Sequence, residues 1–377
     1  MKSLILFGGT FDPPHAEHVA MAKAAVEEKK PDKIIIMPTA TPPHKKTFHA
    51  ATAKDRLEMC RLAFGDIRGC EVSPLEINAG GKSYSYITVG KLAEKYVGYK
   101  IYFLMGTDML SSFHKWKNPE EILRFCVPLL CVRKGEGETA EETLNGFEEK
   151  FSVRPEALSF QGGEASSTEC KLRILLGLDA DGLLPESVAK YVVENGVYPS
   201  DEYFSYIRTH LKEKRIVHTL GVMLAAKKYA KQANADENAA LTAALLHDAA
   251  KYEDPADYPD FKAPAGVPEP VMHQYLGAYI AEKVLGVKDE DILNAIRYHT
   301  SGRKGMSLLE KIILTADKLE RGRTFDGVEE LRKIASEDFE KGFKEVLYRT
   351  SYKYIEKSGK SVYSLTKEAL EDYVKEK

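Results

Sequence analysis

The sequence predicts an α/β domain built on a doubly wound parallel sheet, followed by an all-α helical bundle. Its 377 residues exceed what one hydrophobic core ordinarily holds, so two domains are expected. Short apolar runs alternate with helical segments up to about residue 198, a pattern typical of a parallel α/β sheet. Beyond about residue 200 the strand signals stop and helical patterns follow one another. We therefore assign residues 1–198 to the α/β domain and residues 199–377 to the helical domain.

The first domain opens with a strand, a helix and a second strand. Apolar runs mark the strands at residues 3–7 and 33–38, and the Ala- and Lys-rich segment 16–30 between them has a helical pattern. Such a βαβ unit has parallel strands and a right-handed crossover. The other predicted elements of this domain are a helix from about residue 52, a strand at 72–77, a helix within 82–96, strands at 100–105 and 127–132 with a helix between them, an acidic insertion with one strand at 134–164, and helices at 168–178 and 185–195.

The second domain has helical patterns throughout. They lie at residues 201–232, 237–252, 274–286, 289–300, 307–322 and 328–359. Apolar residues recur in them at the spacing that places one face of each helix toward a core. A bundle of this kind can direct polar side chains from several helices to one interior site.

The bulk composition narrows the class of protein. The net charge of −3 provides no broad basic field for DNA or RNA. The five cysteines form no CxxC pair, which fits a reducing compartment better than a disulfide framework. The apolar run after Met1 ends at Gly8, too early for a signal peptide, and no stretch reaches membrane length. We predict a cytoplasmic protein that binds neither nucleic acid nor membrane. Whether it forms a homo-oligomer stays open.

A turn suited to phosphate joins the first strand to the first helix. Gly8 and Gly9 form this turn, and His15 and His18 follow at positions i and i+3 on one face of the first helical turn. Backbone N–H groups at a helix start lack intrahelical partners and attract anions. We predict that His15 and His18 bind phosphate, and the alternative is that they are ordinary residues of a helix start.

Other residues of the first domain extend this phosphate site. Lys45 lies in a loop after the second strand, on the sheet edge where ligands bind. Ser166, Ser167 and Thr168 begin another helix and provide hydroxyl groups and unpaired N–H groups. Lys171 and Arg173 follow within the next two turns of this helix and are further predicted phosphate contacts. The whole set suits a nucleotide triphosphate with Mg²⁺.

These motifs resemble those of a known enzyme family. The pattern Gly8-x-Thr10-Phe11-Asp12-Pro13-x-His15-x-x-His18 is similar to the signature of the HxxH nucleotidyltransferases, which have a Rossmann-like sheet. The motifs around Ser83-Tyr84-Ser85, Gly106-x-Asp108, Trp116 and Ser166-Ser167-Thr168 resemble those of bacterial nicotinate-nucleotide adenylyltransferases. The resemblance covers about residues 1–198. It implies a role in NAD biosynthesis, the transfer of AMP from ATP to nicotinate mononucleotide with release of deamido-NAD and pyrophosphate.

The same resemblance assigns roles to individual residues. His15, His18 and Lys45 are the predicted catalytic residues, and Trp116 either stacks on the nicotinate ring or belongs to the core. The predicted nucleotide-binding residues are Gly8, Gly9, Thr10, Phe11, Ser83, Thr88, Gly106, Asp108, Trp116, Ser166, Ser167, Thr168, Lys171 and Arg173. The chain departs from the family at Glu17, where glycine is usual, and at Lys171, where arginine is usual. Both changes predict weakened or altered phosphate binding, since a carboxylate repels phosphate and lysine lacks a bidentate fork.

A second candidate site lies in the helical domain. Its members are histidine and aspartate residues on separate helical segments, namely His218, His247, Asp248, His273, His299 and Asp317. Imidazole and carboxylate ligands suit Fe, Mn, Co or Zn, and iron is the metal we predict first. Six ligands are more than one tetrahedral zinc ion binds, so the set predicts two metals bridged by Asp248. The alternative for the His247-Asp248 dipeptide alone is a core histidine whose hydrogen bonds are satisfied by the protein.

The order of these ligands resembles that of the HD-domain metal-dependent phosphohydrolases. The sequence segments around them resemble those of the YqeK-type branch over about residues 203–335. These segments are HTLGV, LLHDAAKY, AIRYHTSGR and ADKLERGR. The resemblance implies symmetrical hydrolysis of diadenosine tetraphosphate to two ADP, with Asp248 as a catalytic residue. Candidate contacts to the phosphate chain are Lys251, Arg297, Arg303 and Arg321, although a solvated helix face is the favoured interpretation for any one of them.

Three alternatives stay open at this point. The first domain could use another acceptor, such as nicotinamide mononucleotide or phosphopantetheine. The second could hydrolyse a different phosphoester. It could also bind nucleotides as a sensor without turnover, although a complete ligand set argues against that reading.

Overall fold

The protein is described by a computed structural model that covers residues 2–40, 48–133, 137–163, 165–357, 359 and 361–374. The chain divides into two compact units. The first comprises Met1–Ile174 with Asp179–Pro199, and the second comprises Leu175–Leu178 with Ser200–Lys377. No helix among the residues just given is long and apolar enough to span a membrane.

The first unit is built on one parallel sheet of six strands in the order β3-β2-β1-β4-β5-β6. The strands are β1 (Ser3–Gly9), β2 (Lys33–Pro38), β3 (Cys70–Val72), β4 (Lys100–Gly106), β5 (Cys126–Arg133) and β6 (Glu156–Gly162). The central strands are continuous apolar runs because helices cover both faces of the sheet. The order reverses between β1 and β4, and a crevice at such a switch point is where ligands bind in this fold class. The predicted doubly wound sheet is confirmed.

Nine α-helices of the first unit fall within the described residues and surround the sheet. They are α1 (Ala16–Lys29), α2 (Ala53–Phe64), α3 (Leu75–Ala79), α4 (Ser85–Lys95), α5 (Thr107–Ser112), α6 (Pro119–Leu123), α7 (Gly137–Phe151), α8 (Ser167–Leu176) and α9 (Glu186–Asn195). Two of them follow a strand at the edge that ligands use. Helix α1 follows β1 after a short turn, and α5 follows β4 with Gly106 as its N-cap. The site residues of both turns therefore lie at the switch point.

Two predicted elements of this unit differ from the structure. The strand predicted at residues 72–77 is wrong, because β3 ends at Val72 and a helix begins at Leu75. Pro74, the N-cap of that helix, has no N–H to donate to a strand ladder. The stretch at 134–164 contains the predicted strand β6, and it also contains the helix α7, which was not predicted. Leu144 and Phe147 of α7 pack into the core.

All the regular secondary structure in the described residues of the second unit is helical, as predicted. Its α-helices are α10 (Glu202–His210), α11 (Glu213–Gln232), α12 (Glu237–Leu246), α13 (Glu269–Tyr279), α14 (Glu290–Arg297), α15 (Leu308–Leu319), α16 (Val328–Glu337), α17 (Phe339–Val346), α18 (Tyr354–Lys357) and α19 (Ser364–Tyr373). Helix α11 packs against both α12 and α15 through buried residues such as Leu220 and Met223. These three helices, together with α13 and α14, direct polar side chains into one interior region.

Candidate active sites

The two histidines of the first site cap the start of α1 for each other. His15 is the N-cap residue, and its Nδ1 accepts from the backbone N–H of His18 at 3.4 Å. The backbone N–H of His15 donates in return to Nδ1 of His18 at 3.1 Å. The rings stack with their centroids 3.6 Å apart. Because both Nδ1 atoms accept, a neutral ring carries its proton on Nε2, so each histidine offers an Nε2–H donor.

Glu17, the first departure from the family pattern, is bound at the other side of α1. Its carboxylate accepts from the backbone N–H of Gly163, just after β6. Residues at i and i+2 of a helix do not share a face, so Glu17 is separated from the side of the helix that carries His15. The contact gives the carboxylate a local donor and ties α1 to the end of β6.

The glycine turn before the histidines is closely packed. Gly9 ends β1, and a Cβ placed on it would lie 3.1 Å from the Phe11 ring. Phe11 has a φ of 48° and buries its ring against Phe7, with centroids 5.3 Å apart, and against His18, at 5.1 Å. Phe11 therefore supports the position of His18 by packing.

The predicted site residues between Ser83 and Trp116 lie in three different parts of the first unit. Ser83 accepts from the backbone N–H of Ala40 at 3.0 Å, and Thr88 donates to Glu76 at 2.6 Å. Gly106 and Asp108 lie at the start of α5, on the edge where β1 also ends. Trp116 packs on Phe113 and Phe103, with centroids 5.1 and 5.9 Å apart, and is half-buried.

The Ser166-Ser167-Thr168 start of α8 lies beside the histidine turn. Ser166 accepts from the backbone N–H of Glu169 at 3.2 Å and so caps the helix. Ser167 donates to the carbonyl of Pro13 at 2.8 Å. The structure thus brings together two of the predicted phosphate-binding helix starts.

Lys171 and Arg173 were predicted to contact phosphate, but both side chains are paired with groups of the protein. Lys171 is buried and forms an ion pair with Asp12. Arg173 donates to Glu169 at 3.0 Å and to the carbonyl of Asp179 at 2.9 Å. Both cations are held by protein oxygens, so these positions do not support the predicted phosphate contacts. The predicted catalytic Lys45 lies outside the described residues.

The buried polar residues behind the turn were not predicted from the sequence. Tyr198 donates to Asp12 at 2.8 Å. Arg56 is 4% exposed and donates to the carbonyls of Thr10 and Ala40, both at 2.8 Å. Burial lowers the pKa of the Arg56 guanidinium, against the attraction of Asp12. A charged residue on the buried side of a helix indicates that it has polar partners in the interior. The partners of Arg56 lie too far along the chain to be identified from the sequence.

In the second site, the two carboxylate oxygens of Asp248 face different groups of histidines. Oδ2 lies 3.5 Å from Nε2 of His247 and 3.9 Å from Nε2 of His218. Oδ1 lies 3.2 Å from Nε2 of His273 and 3.7 Å from Nε2 of His299. Asp317 joins the first group through an oxygen 3.2 Å from Nε2 of His218. All six predicted ligands are therefore brought together around Asp248.

The ring orientations leave Nε2 available for a metal. Nδ1 of His247 is 2.7 Å from the carbonyl of Ala244, and Nδ1 of His299 is 2.8 Å from the carbonyl of Ile296. A carbonyl only accepts, so each Nδ1 carries the proton and Nε2 keeps its lone pair. The buried Nε2 atoms of His218 and His247 have no hydrogen-bond partner among the described residues. Such unsatisfied nitrogens fit metal ligation.

The charge states of the group also suit a metal. Burial lowers the pKa of His299 to about 4, which keeps its imidazole neutral. Burial opposes ionisation of Asp248, but His247, His273 and His299 outweigh it and hold the pKa of that carboxyl well below its usual range. A neutral imidazole at His299 beside an ionised carboxylate at Asp248 is the combination that metal binding requires of these two ligands. At His218, burial lowers the pKa, but hydrogen bonds to Asp317 and Glu320 outweigh burial and raise it.

Cations surround this ligand group. Arg215 lies 2.8 Å from Oδ2 of Asp248, and Lys251 lies 3.2 Å from Nε2 of His273. Of the cations that the sequence suggested as phosphate contacts, Lys251 is therefore at the site. Arg303 is paired instead with the carboxylate of Glu310 through two bonds of 2.7 and 2.9 Å. Arg215 was missed, since its partner Asp248 is 33 residues away, in the turn after α12.

Glu320 was also missed, and it orients His218. Its Oε1 lies 3.1 Å from Nδ1 of His218, and its other oxygen accepts from the N–H of Gly322. A side chain at Gly221, one turn after His218, would collide with this carboxylate. The glycine therefore makes room for the acceptor that fixes the ring.

We expect Glu320→Ala to weaken metal retention by about 10- to 100-fold, the usual effect of losing the acceptor behind a metal-binding histidine. Glu320→Gln keeps an acceptor oxygen and is expected to retain most of the metal. Metal content after dialysis, measured by mass spectrometry, checks both variants. The exposed Glu337→Gln serves as the control, and equal metal content in Glu320→Ala and the unmodified chain would show that Glu320 does not support His218.

Two family models match the chain, one in each unit. The Cytidylyltransferase-like model matches residues 6–171. The HD domain model matches residues 215–322. The chain thus combines a nucleotidyltransferase fold with an HD domain.

Relatives with both parts span nearly the whole chain. A protein of Mycoplasma genitalium is 31% identical over 340 residues, which are 85% of this chain and 88% of the relative. One of Mycoplasma pneumoniae is 30% identical over 361 residues, 93% of this chain and 98% of the relative. Both are named "Probable nicotinate-nucleotide adenylyltransferase/Ap4A hydrolase". A Bacillus subtilis protein named as a symmetrical bis(5'-nucleosyl)-tetraphosphatase is 42% identical over 145 residues, 37% of this chain and 78% of its own.

The chain belongs to the family of nicotinate-nucleotide adenylyltransferase/Ap4A hydrolase fusion proteins. The resemblance that the sequence motifs predicted is thereby confirmed for both halves.

Proposed function

We propose that the first unit transfers AMP from ATP to nicotinate mononucleotide, with deamido-NAD and pyrophosphate as products. The observation that carries this proposal is the pair of stacked histidines at the start of α1, with an Nε2–H donor on each ring. The pair follows the end of β1, beside the switch point of the sheet. The names of the full-length relatives support the same reaction.

The chemistry requires positioning more than covalent catalysis. A phosphate oxygen of the acceptor attacks the α-phosphate of ATP, so no protein nucleophile is needed. His15 and His18 would stabilise the charge that accumulates on the phosphates, and Lys45 would add a further cation. The start of α8 at Ser166–Thr168 would bind the triphosphate, with Mg²⁺ supplied together with ATP. Trp116 would stack on the nicotinate ring.

The acceptor is tested by offering ATP with nicotinate mononucleotide, nicotinamide mononucleotide or phosphopantetheine. We expect the highest kcat/KM with nicotinate mononucleotide. Product formation is followed by chromatography of the dinucleotide and by release of pyrophosphate. A higher kcat/KM with either other acceptor would overturn the assignment of the substrate.

We also propose that the second unit hydrolyses diadenosine tetraphosphate symmetrically to two ADP. The observation that carries this proposal is Asp248, which turns one oxygen to each of two histidine pairs. This arrangement supports two divalent metals bridged by Asp248, and the mixed nitrogen and oxygen ligands support iron as the native metal. Bound metals would lower the pKa of water and stabilise charge on phosphate. Arg215 and Lys251 would hold the phosphate chain.

Removal of metal from the full chain is expected to abolish hydrolysis of diadenosine tetraphosphate, because bound metal activates the attacking water in the proposed reaction. After chelation and dialysis, we expect less than about 1% of the activity to remain, since a metal contributes several kcal/mol to the transition state. Adding Fe²⁺, Mn²⁺, Co²⁺ or Zn²⁺ separately should restore it to different degrees. Full hydrolysis by a protein shown to be metal-free would contradict the proposal.

A further inference from the structure

The carboxylate of Asp12 is completely satisfied by protein donors, although it lies three residues before the histidine pair. Its side chain is 3% exposed. Oδ1 accepts from the backbone N–H of Ala51 at 3.0 Å and from the Tyr198 hydroxyl at 2.8 Å, and Oδ2 binds Lys171. A carboxylate enclosed in this way has no exposed oxygen for a metal or a substrate. The role of this carboxylate is therefore to hold the turn in place.

Lys171 connects this carboxylate to the start of α8. It follows Ser167 by four residues, so both side chains lie on one face of the helix. Ser167 donates to the carbonyl of Pro13, and Lys171 binds Asp12, the residue before Pro13. One face of α8 is therefore attached at two neighbouring points to the turn that leads into His15.

The same cluster holds the residues on both sides of the segment that contains Lys45. Arg56 donates to the carbonyl of Ala40 and to that of Thr10. Lys171 donates to the carbonyl of Phe48 at 3.1 Å. The cluster therefore joins three parts of the proposed nucleotide site, namely the histidine turn, the start of α8 and the flanks of the segment that contains Lys45.

We propose that Lys171 is a positioning residue that acts through Asp12, and that it does not contact the nucleotide. This inference rests on the proposed adenylyl transfer. Because the pair is buried, loss of the lysine alone leaves the carboxylate in the interior without its ion-pair partner, which is strongly unfavourable. The turn would then shift to hydrate Asp12, and His15 and His18 would shift with it.

A double-mutant cycle in the full chain separates positioning from contact. The variants are Lys171→Met, Asp12→Asn and the two combined, with the exposed Lys190→Met as the matched control. We expect Lys171→Met to lower kcat for deamido-NAD formation about 100-fold, the size expected when reacting groups are misplaced by about 1 Å. The KM for ATP should change less than about threefold, since no contact to the nucleotide is lost.

The combined variant is expected to recover about tenfold in kcat over Lys171→Met, because it removes the unpaired charge. A direct phosphate contact predicts the opposite pattern, in which the KM for ATP rises equally in Lys171→Met and in the combined variant. That result would overturn the inference. Far-ultraviolet circular dichroism and the thermal unfolding transition of each preparation show that the first unit is folded.

Amide hydrogen exchange gives a readout that does not depend on turnover. Peptides covering residues 10–18 should exchange faster in Lys171→Met and return toward the unmodified rate in the combined variant. Unchanged exchange in Lys171→Met would contradict the positioning role even if the unmodified chain made no deamido-NAD. Absence of deamido-NAD from the unmodified chain would instead refute the proposed function of the first unit.

Discussion

Asp248→Ala is expected to lower hydrolysis of diadenosine tetraphosphate on the order of 1000-fold, a loss that corresponds to several kcal/mol of metal-dependent stabilisation. Asp248 is the residue whose two oxygens face both histidine groups, so its removal affects both proposed metal positions at once. The surrounding imidazoles would also lose the carboxylate that they enclose. ADP release measured by chromatography and metal content measured by mass spectrometry check the two consequences together.

The exposed Asp260→Ala is the control for this substitution, since it removes an aspartate from the same unit without touching the group of histidines. Far-ultraviolet circular dichroism and the thermal unfolding transition of each preparation show that the second unit is folded. An Asp248→Ala chain that hydrolyses its substrate at the unmodified rate would refute the metal-dependent mechanism.

His18→Ala is expected to lower formation of deamido-NAD by about 100- to 1000-fold, as for the loss of one preorganised donor to a charged transition state. The substitution removes the Nε2–H donor of His18. It also removes the acceptor for the backbone N–H of His15, 3.1 Å away. Initial rates with saturating ATP and nicotinate mononucleotide measure the loss.

A second substitution separates the two roles of His18. The side-chain oxygen of His18→Asn can still accept from the N–H of His15, so this variant is expected to keep the helix cap and the melting temperature. It cannot place a donor where Nε2 lies, so its rate should stay as low as that of His18→Ala. The exposed His114→Ala is the control. Recovery of the rate in His18→Asn would mean that the histidine acts only as a cap.

The local patterns of the sequence were enough to predict much of this architecture. Apolar runs such as β1 and β2 are long and uninterrupted, which is what a strand covered on both faces requires. The histidines of the second site could be identified because each stands in a recognisable helical segment. The signature around His15 and His18 places both residues at a helix start, where the structure has them.

Contacts between distant parts of the chain could not be read in this way. Lys171 has the appearance of an exposed cation, and its partner Asp12 is 159 residues away. Glu320 is likewise separated from His218 by 102 residues. The direction of Glu17 depends on Gly163, at the far end of the sheet's last strand. Pairings of this kind follow from packing and are not contained in periodicity or local propensity.

The most direct test of the account is the identity of the nucleotides that the unmodified full chain produces. Anion-exchange chromatography is applied to one reaction with ATP and nicotinate mononucleotide, and to another with diadenosine tetraphosphate and divalent metal. We predict deamido-NAD with pyrophosphate from the first reaction and ADP alone from the second. Absence of deamido-NAD, or release of AMP and ATP in place of ADP, would contradict the account.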